Sequence, residues 1–244
     1  KFFPEASFLK NLTTVYSLLG FVISLLLVFR TNTAYDRWWE GRKAWGSIVN
    51  DSRSLSAKLS ALKLEKEVKH KFSSLIILYA FSVKNHLRNK LIQDDADYTI
   101  DLSRSHLTGH QPLRVQQELR AAIEEIRNNN QMSPECWLAT QRDLDGLVAS
   151  LGICERIKNT PIPFSYSLFI KKFIFIYVVT MPLAFVPLFG YLSAFISTFV
   201  FYALVSMELL AEEIEDPFGG DENDLPTDLS CLTLQTNSQQ IFSA

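Results

Sequence analysis

The stretch Asn11–Trp45, NLTTVYSLLGFVISLLLVFRTNTAYDRWWEGRKAW, changes character abruptly in its middle. No charged residue occurs from Asn11 to Phe29, and these nineteen residues are enough for a helix that crosses a bilayer. Basic and tryptophan residues follow at once, which is typical of the cytoplasmic end of a span. Because no glycine or proline separates the two parts, we expect one helix to leave the membrane and continue to about Leu64.

The distribution of charge along the chain indicates a membrane protein with a large soluble part. The 244 residues are 48% hydrophobic and 20% charged, and a second uncharged run of thirty-five residues covers Phe173–Met207. The region between the two runs is polar. The net charge of −2 gives no basic surface for nucleic acid. Cys136, Cys154 and Cys231 form no CxxC pair and fit buried thiols in a reducing compartment better than disulfides.

The polar middle of the chain contains three helical patterns. The apolar part of Lys66–Leu87 is only twelve residues long, so it predicts a core helix rather than a span. Residues Leu91–Pro112 are polar and predict a loop, and Val115–Ile126 predict an amphipathic helix. Ser133-Pro134-Glu135 is a strong helix start, for a helix that runs to about Arg156.

The second uncharged run is too long for one span, and Pro182, Pro187 and Gly190 predict a break within it. We therefore expect a hairpin of Tyr166–Phe185 and Leu192–Leu210. The basic flanks of both membrane regions predict that the C-terminus is cytosolic and that a further span precedes residue 1. The polar tail Thr227–Ala244 is expected to be a docking or plugging strand.

No sequence pattern indicates an enzyme. GxSxG, HExxH, P-loop and GxGxxG motifs are all missing from the sequence. His106 and His110 have the i, i+4 spacing of a metal pair, but Gly109 and the polar surroundings favour loop histidines over a metal site.

Two other patterns each allow two interpretations. The segment Glu208–Asp224 carries eight acidic residues around a Pro-Phe-Gly-Gly turn, which suits either a Ca²⁺ site or a solvated acidic surface. Phe21, Leu25 and Phe29 occupy one helical face, the apolar stripe. This stripe suits ordinary lipid or helix contact, or stacked apolar rings in a symmetric ring of subunits.

Three motifs, in this order, resemble the bestrophins and most closely their bacterial branch: FRTNTAYDRWWEGRKAWG, CERIKNTPIPFSY and AEEIEDPFGGDENDLP. The resemblance extends from about Ser17 to Leu229. It implies an all-α fold in which membrane helices continue into a cytosolic helical domain. It also implies a homopentamer with a central pore, in which the apolar stripe forms the neck.

The same resemblance assigns two further sites. A cytosolic aperture falls at Glu135, twenty-eight residues before Pro163, where the family usually has an apolar residue. The alternative is a purely structural role, in which Glu135 only helps to cap its helix. A calcium clasp falls at the four matching acidic positions, which are Glu213, Asp216, Asp221 and Asp224. Bacterial members need no Ca²⁺, so no cofactor is required, and whether this chain binds the ion stays open.

The expected function is therefore a pore for small monovalent ions in the cell (inner) membrane. Five glutamates at position 135 favour cations, whereas helix N-termini near an apolar neck favour anions such as chloride. A membrane scaffold that docks a cytosolic partner is the alternative from another class. The expected partners are the lipid bilayer, the permeant ions and four further copies of the chain. The expected divisions are the first span (1–30), the cytosolic domain (31–163), the hairpin (164–210) and the clasp with its tail (211–244).

Overall fold

The computed structural model describes residues 6–90 and 109–243, with side chains described from residue 12 onward. These ranges contain helices and no strand, in agreement with the all-α prediction. In chain order the helices are α1 (Ala6–Ser60), α2 (Lys66–Leu87), α3 (Gln111–Asn128), α4 (Pro134–Asn159), α5 (Phe164–Phe189), α6 (Leu192–Glu215) and α7 (Thr227–Ser243).

The chain forms two compact units. The first comprises Lys1–Trp38 and Thr160–Asp216, and the second comprises Trp39–Asn159 and Pro217–Ala244. Helix α1 is continuous and contributes to both, as the absence of a breaker after Phe29 predicted. The membrane and cytosolic boundaries assigned at residues 30, 163 and 210 stay predictions.

The first unit contains three helices that are long and apolar enough to cross a membrane, which lie within Leu12–Ser60, Phe164–Phe189 and Leu192–Glu215. Its core is an interface between α1 and α5. The buried side chains of this interface are Tyr16, Ile23, Leu27, Ile170, Ile174, Tyr177, Met181 and Ala184. The hydroxyl of Tyr177 donates to the carbonyl oxygen of Tyr16 at 3.3 Å, so a polar group in this core is paired.

Helix α5 extends further than its prolines predicted. Pro182 and Pro187 both lie inside the helix, which continues to Phe189 instead of ending near Phe185. A proline within a membrane helix is tolerated because neighbouring groups can satisfy the freed backbone. The helix ends at Gly190, whose φ of +53° is a backbone conformation that favours glycine. Gly190 therefore sets the turn of the hairpin.

The second unit is built around α2, whose bounds agree with the prediction. The middle of this helix, from Phe72 to Asn85, is buried almost throughout except for Ser74. The hydroxyl of Tyr79 donates to the carbonyl oxygen of Leu147 at 2.9 Å, which ties α2 to α4. The predicted twelve-residue apolar patch is therefore part of the buried core of the second unit.

The prediction of a C-terminal strand was wrong, because Thr227–Ser243 is helix α7. Its buried residues, Thr227, Cys231, Leu234 and Ser238, recur every three or four positions. Two of these four are hydroxyl residues, so the apolar periodicity that would have revealed the helix is weak. The hydroxyls of Ser238 and Ser73 lie 3.1 Å apart in the buried contact of α7 with α2.

The three cysteines differ in exposure. Cys154 and Cys231 are buried, as expected, whereas Cys136 in the first turn of α4 is partly exposed. Burial raises the pKa of the Cys154 thiol to about 12, with a smaller contribution from the neighbouring Glu155 carboxylate.

Candidate functional site

The apolar stripe lies on the uncovered face of α1. Phe21, Leu25 and Phe29 are 66%, 44% and 56% exposed, whereas Ile23 and Leu27 on the same helix are buried against α5. At 100° per residue, the buried and exposed sets lie on roughly opposite sides of the helix. In a single chain, this row of large apolar side chains is therefore exposed.

A charged cluster immediately follows the stripe. Arg30, the residue after Phe29, is 1% exposed, and its guanidinium donates to the Glu215 carboxylate at 2.7 Å. The other oxygen of Glu215 accepts from the backbone N–H of Ile162 at 2.7 Å. Arg37, two helical turns further along on the same face of α1, donates to the carbonyl oxygens of Glu215 and Thr160. These contacts fix the end of the stripe to α6 and to the Pro161–Pro163 segment.

Glu135 lies in the first turn of α4, as its sequence predicted. The hydroxyl of Ser133 accepts a hydrogen bond from the N–H of Cys136 at 3.2 Å, so Ser133 is the N-cap. Hydrogen bonds from the N–H of Glu135 and from the Ser133 hydroxyl lower the pKa of Glu135. Its exposed carboxylate is therefore ionised at neutral pH.

The four acidic positions of the predicted clasp are divided between the two units. Glu213 and Asp216 belong to the first unit, and Asp221 and Asp224 belong to the second. In the second unit the N–H of Asp221 donates to the Asp224 carboxylate at 2.7 Å, and the N–H of Leu225 donates to the carbonyl oxygen of Pro217 at 3.0 Å. These bonds close the loop of residues 217–225, the acidic loop, which the buried side chain of Phe218 anchors.

The loop also packs closely against α1 within the second unit. A Cβ atom added to Gly41 would lie 2.9 Å from Cγ of Pro217 and 3.2 Å from Cζ of Phe218. Only glycine permits this approach, because the Pro217 ring is rigid and the Phe218 side chain is buried in the core, so neither can move aside.

The structure brings one predicted histidine into a cluster that sequence spacing did not predict. His106 lies outside the described residues. The side chain of His110 is the N-cap of α3, where Nδ1 accepts from the N–H of Leu113 at 3.4 Å. Its Nε2 lies 2.6 Å from Oε1 of Glu155, and Nε2 of His86 lies 2.8 Å from the same oxygen. These three residues are far apart in sequence, so only the packing of α2, α3 and α4 joins them.

Comparison with known proteins decides the family. The family model for bacterial and fungal bestrophin proteins matches residues 2–240. The chain belongs to the bestrophin family. A bacterial bestrophin homologue from Klebsiella pneumoniae is 30% identical and superposes with a TM-score of 0.88, over 94% of this chain and 87% of that structure.

The similar proteins include proteins that are named as channel-forming. A voltage-dependent anion channel-forming protein of Nostoc sp. is 36% identical over 91% of this chain and 75% of the relative. The protein of that type called YneE from Escherichia coli K12 is 33% identical over 93% and 75% of the two chains. This bestrophin is therefore an ion channel of a membrane and not an enzyme.

Proposed function

We propose that five copies of this bestrophin surround one pore and that α1 lines it. The apolar stripe supports this arrangement. Phe21, Leu25 and Phe29 form a continuous row on α1, exposed within the chain and opposite the face that packs on α5. Around a five-fold axis each residue of the stripe becomes one ring, and the three rings are one helical turn apart. This row is the observation that carries the proposal.

The three rings act as a gate. An ion that enters a narrow apolar ring loses water ligands and gains no polar partner, which costs several kcal/mol. A narrow neck is therefore dry and closed, whereas a modest widening lets water and ions enter. Arg30 and its buried contacts hold the lower end of each stripe in place, so the rings keep their register.

The aperture at Glu135 selects small monovalent cations. A helix N-terminus carries roughly half a positive charge, whereas an ionised glutamate carries a full negative charge. The sum at the start of α4 is negative, and five copies around a pore attract cations and repel anions. The lowered pKa of Glu135 keeps this charge at neutral pH.

Anion selectivity is the second candidate, and the relatives favour it. The Nostoc and Escherichia coli proteins are named as anion channel-forming. An apolar neck carries no charge that opposes an anion, so the difference between the two candidates lies at the aperture.

We place the protein in the inner membrane of a bacterial cell, with its C-terminus in the cytosol. Basic residues at the ends of both membrane regions support it, among them Arg42 and Lys43 after the first span and Lys171 and Lys172 at the start of α5.

The acidic loop is proposed as a Ca²⁺ site that stabilises the channel without being required for conduction. Carboxylate oxygens are donors that Ca²⁺ prefers, and Asp221, Glu222 and Asp224 place three carboxylates within four residues of this loop. With Ca²⁺ we expect higher thermal stability, which Asp221→Asn should abolish, and unchanged conduction when a chelator removes the ion.

Reversal potentials of the purified protein in planar bilayers test the channel proposal. In asymmetric KCl, a potential near the K⁺ equilibrium value supports the cation-selective pore. A potential near the Cl⁻ equilibrium value overturns cation selectivity and supports the second candidate. Single-particle images of the same preparation test the five-fold symmetry independently, and a different subunit number would overturn the pentamer.

A further inference from the structure

Three ligand-bearing side chains of the second unit converge on one point. His86 comes from the last turn of α2, His110 caps the start of α3, and Glu155 lies in the C-terminal half of α4. One ligand atom from each lies within 4.8 Å of the others. In the described part of the chain, this is the one group of three or more histidine, cysteine or acidic side chains that meets this spacing.

We propose that the histidine–glutamate cluster, His86, His110 and Glu155, binds a divalent transition-metal ion of the Zn²⁺ type. Two imidazoles and one carboxylate make a donor set that such ions prefer, and a fourth position is left for water. The side chains are 31%, 34% and 26% exposed, so an ion and a water ligand can reach them from solvent.

The distances fit this ion after a small adjustment. Ligands about 2.0 Å from a tetrahedral ion lie about 3.3 Å from one another. The two imidazole nitrogens are now 2.8 and 2.6 Å from Oε1 of Glu155, in hydrogen bonds. These two separations need to increase by about 0.5 Å and about 0.7 Å, and the two imidazole nitrogens, which lie within 4.8 Å of one another, need to come to the same spacing. Side-chain rotation supplies changes of this size.

The hydrogen-bond pattern shows what metal binding changes. With Nδ1 of His110 as the acceptor of the Leu113 N–H, the ring carries its hydrogen on Nε2 and donates it to Glu155. Coordination through Nε2 moves this hydrogen to Nδ1 and ends the contact with Leu113, which is already long at 3.4 Å. The tautomer changes while the ring stays neutral, so the exchange needs no other reactant.

Metal ions bind the neutral form of imidazole and the ionised form of a carboxyl group, so binding by this cluster is expected to weaken at acid pH. The ammonium of Lys158 lies close by and donates to the carbonyl oxygen of His86 and to Oδ1 of Asn89. The bound ion would join α2, α3 and α4.

Titration of the complete, tag-free and chelator-treated protein with Co²⁺ tests the proposal. We expect one ion per chain, with the visible absorption of tetrahedral Co²⁺ and its displacement by Zn²⁺. Loss of a group that only supports a ligand costs 10–100-fold in affinity, so loss of a ligand should cost more than about 10-fold. His86→Gln and Glu155→Gln should show this loss, whereas the exposed His70 gives a matched control, His70→Gln, with unchanged binding.

A third variant separates ligand loss from damage to the fold. Asparagine is a preferred N-cap, so His110→Asn keeps the start of α3 while it removes the imidazole. Zn²⁺ should raise the thermal unfolding temperature of the wild type and not of this variant. The absence of saturable Co²⁺ binding by the wild type, or unchanged affinity in Glu155→Gln, would overturn the proposal and leave a purely hydrogen-bonded cluster. Neither readout depends on ion conduction.

Discussion

The carboxylate of Glu208 lies 3.8 Å from Nε of Arg30, with both side chains almost completely buried. Within the described ranges neither oxygen of Glu208 has a hydrogen-bond partner. Glu215, by contrast, is hydrogen-bonded to both Arg30 and Ile162. One buried cation is thus shared by two carboxylates of α6, and it holds Glu215 far more closely than Glu208.

Arg30→Met should therefore destabilise the first unit strongly. The substitution leaves the buried Glu208 and the partly buried Glu215 without the Arg30 cation, and breaking a buried pair in this way costs about 3–5 kcal/mol. Thermal unfolding in detergent measures the loss. Lys171→Met is the control, because the pair of Lys171 with Glu212 is 42% and 52% exposed and is worth at most about 1 kcal/mol.

Glu208→Gln should cost much less than Arg30→Met in the same measurement. It removes a buried charge that has no hydrogen bond, while Arg30 keeps its contact with Glu215. Equal losses in the two variants would contradict the unequal sharing described above.

Phe29→Ala should increase ion flux. It opens the lowest ring of the proposed neck and lets water wet it. Flux through liposomes that contain purified protein is the measurement. Phe199→Ala in α6 removes the same side chain from a position that is also exposed, and it should leave the flux unchanged. A similar flux in Phe29→Ala and in the wild type would place the gate elsewhere.

Glu135→Gln should move the reversal potential in asymmetric KCl away from the K⁺ equilibrium value. It removes one negative charge per subunit and leaves the partial positive charge of the helix N-terminus. Glu125→Gln removes the same charge from a surface position that is 65% exposed. A shift of the same size in both variants would indicate a general surface potential rather than an aperture at residue 135.

Gly41→Ala should destabilise the second unit, although alanine is the better helix former. The added methyl group meets the Pro217 ring at 2.9 Å, and overpacking of this kind costs about 1–3 kcal/mol. Gly152→Ala meets nothing within 4 Å, so it should gain about 0.5–1 kcal/mol from helix propensity. Chemical denaturation gives the free energy of unfolding of the two variants. Equal values would show that the acidic loop moves away from the added methyl group at no cost.

Asp228 should make stability depend on acid pH. Partial burial opposes its ionisation, but hydrogen bonds from Arg88 and Lys84 lower its pKa to about 2. A carboxyl group whose pKa is lowered in the folded state stabilises that state at pH values above its ordinary pKa of about 4. This stabilisation is lost as the pH falls from about 4 towards 2. Because the carboxylate is 45% exposed, screening reduces the effect to about 1 kcal/mol.

Asp228→Asn tests this dependence through unfolding measurements at pH 7 and at pH 3. The variant should be less stable than the wild type at pH 7, and the difference should shrink at pH 3. Asp145→Asn, at a more exposed ion pair, should change little at either pH. A difference for Asp228→Asn that does not vary with pH would contradict the assigned charge effect.

The elements with strong local signals were predictable from the sequence. The core helix α2 and the start of α4 depend on a buried apolar run and on the cap at Ser133, so local chemistry determines them. Helix α7 was missed because its buried face is half polar. The first helix of the hairpin was predicted to end near Phe185, four residues too early, because the sequence does not show how a membrane helix satisfies the carbonyl groups that its prolines leave free.

The site residues divide in the same way. The apolar stripe follows from helical periodicity alone, and its exposure on one face of α1 agrees with it. The contacts of Arg30 with α6 join residues more than 170 positions apart, and those of Glu155 join three helices. No local pattern encodes such contacts, so they become visible only when the packing is known.

The exposure of the cysteines makes the chain ready for site-specific labelling without mutagenesis. Two thiols are shielded in the core, and only the thiolate form of a cysteine reacts rapidly. A maleimide dye should therefore attach at Cys136, next to Glu135 and one helical turn before Thr140. A fluorophore at that position would report directly on ions and conformational changes at the entrance proposed here.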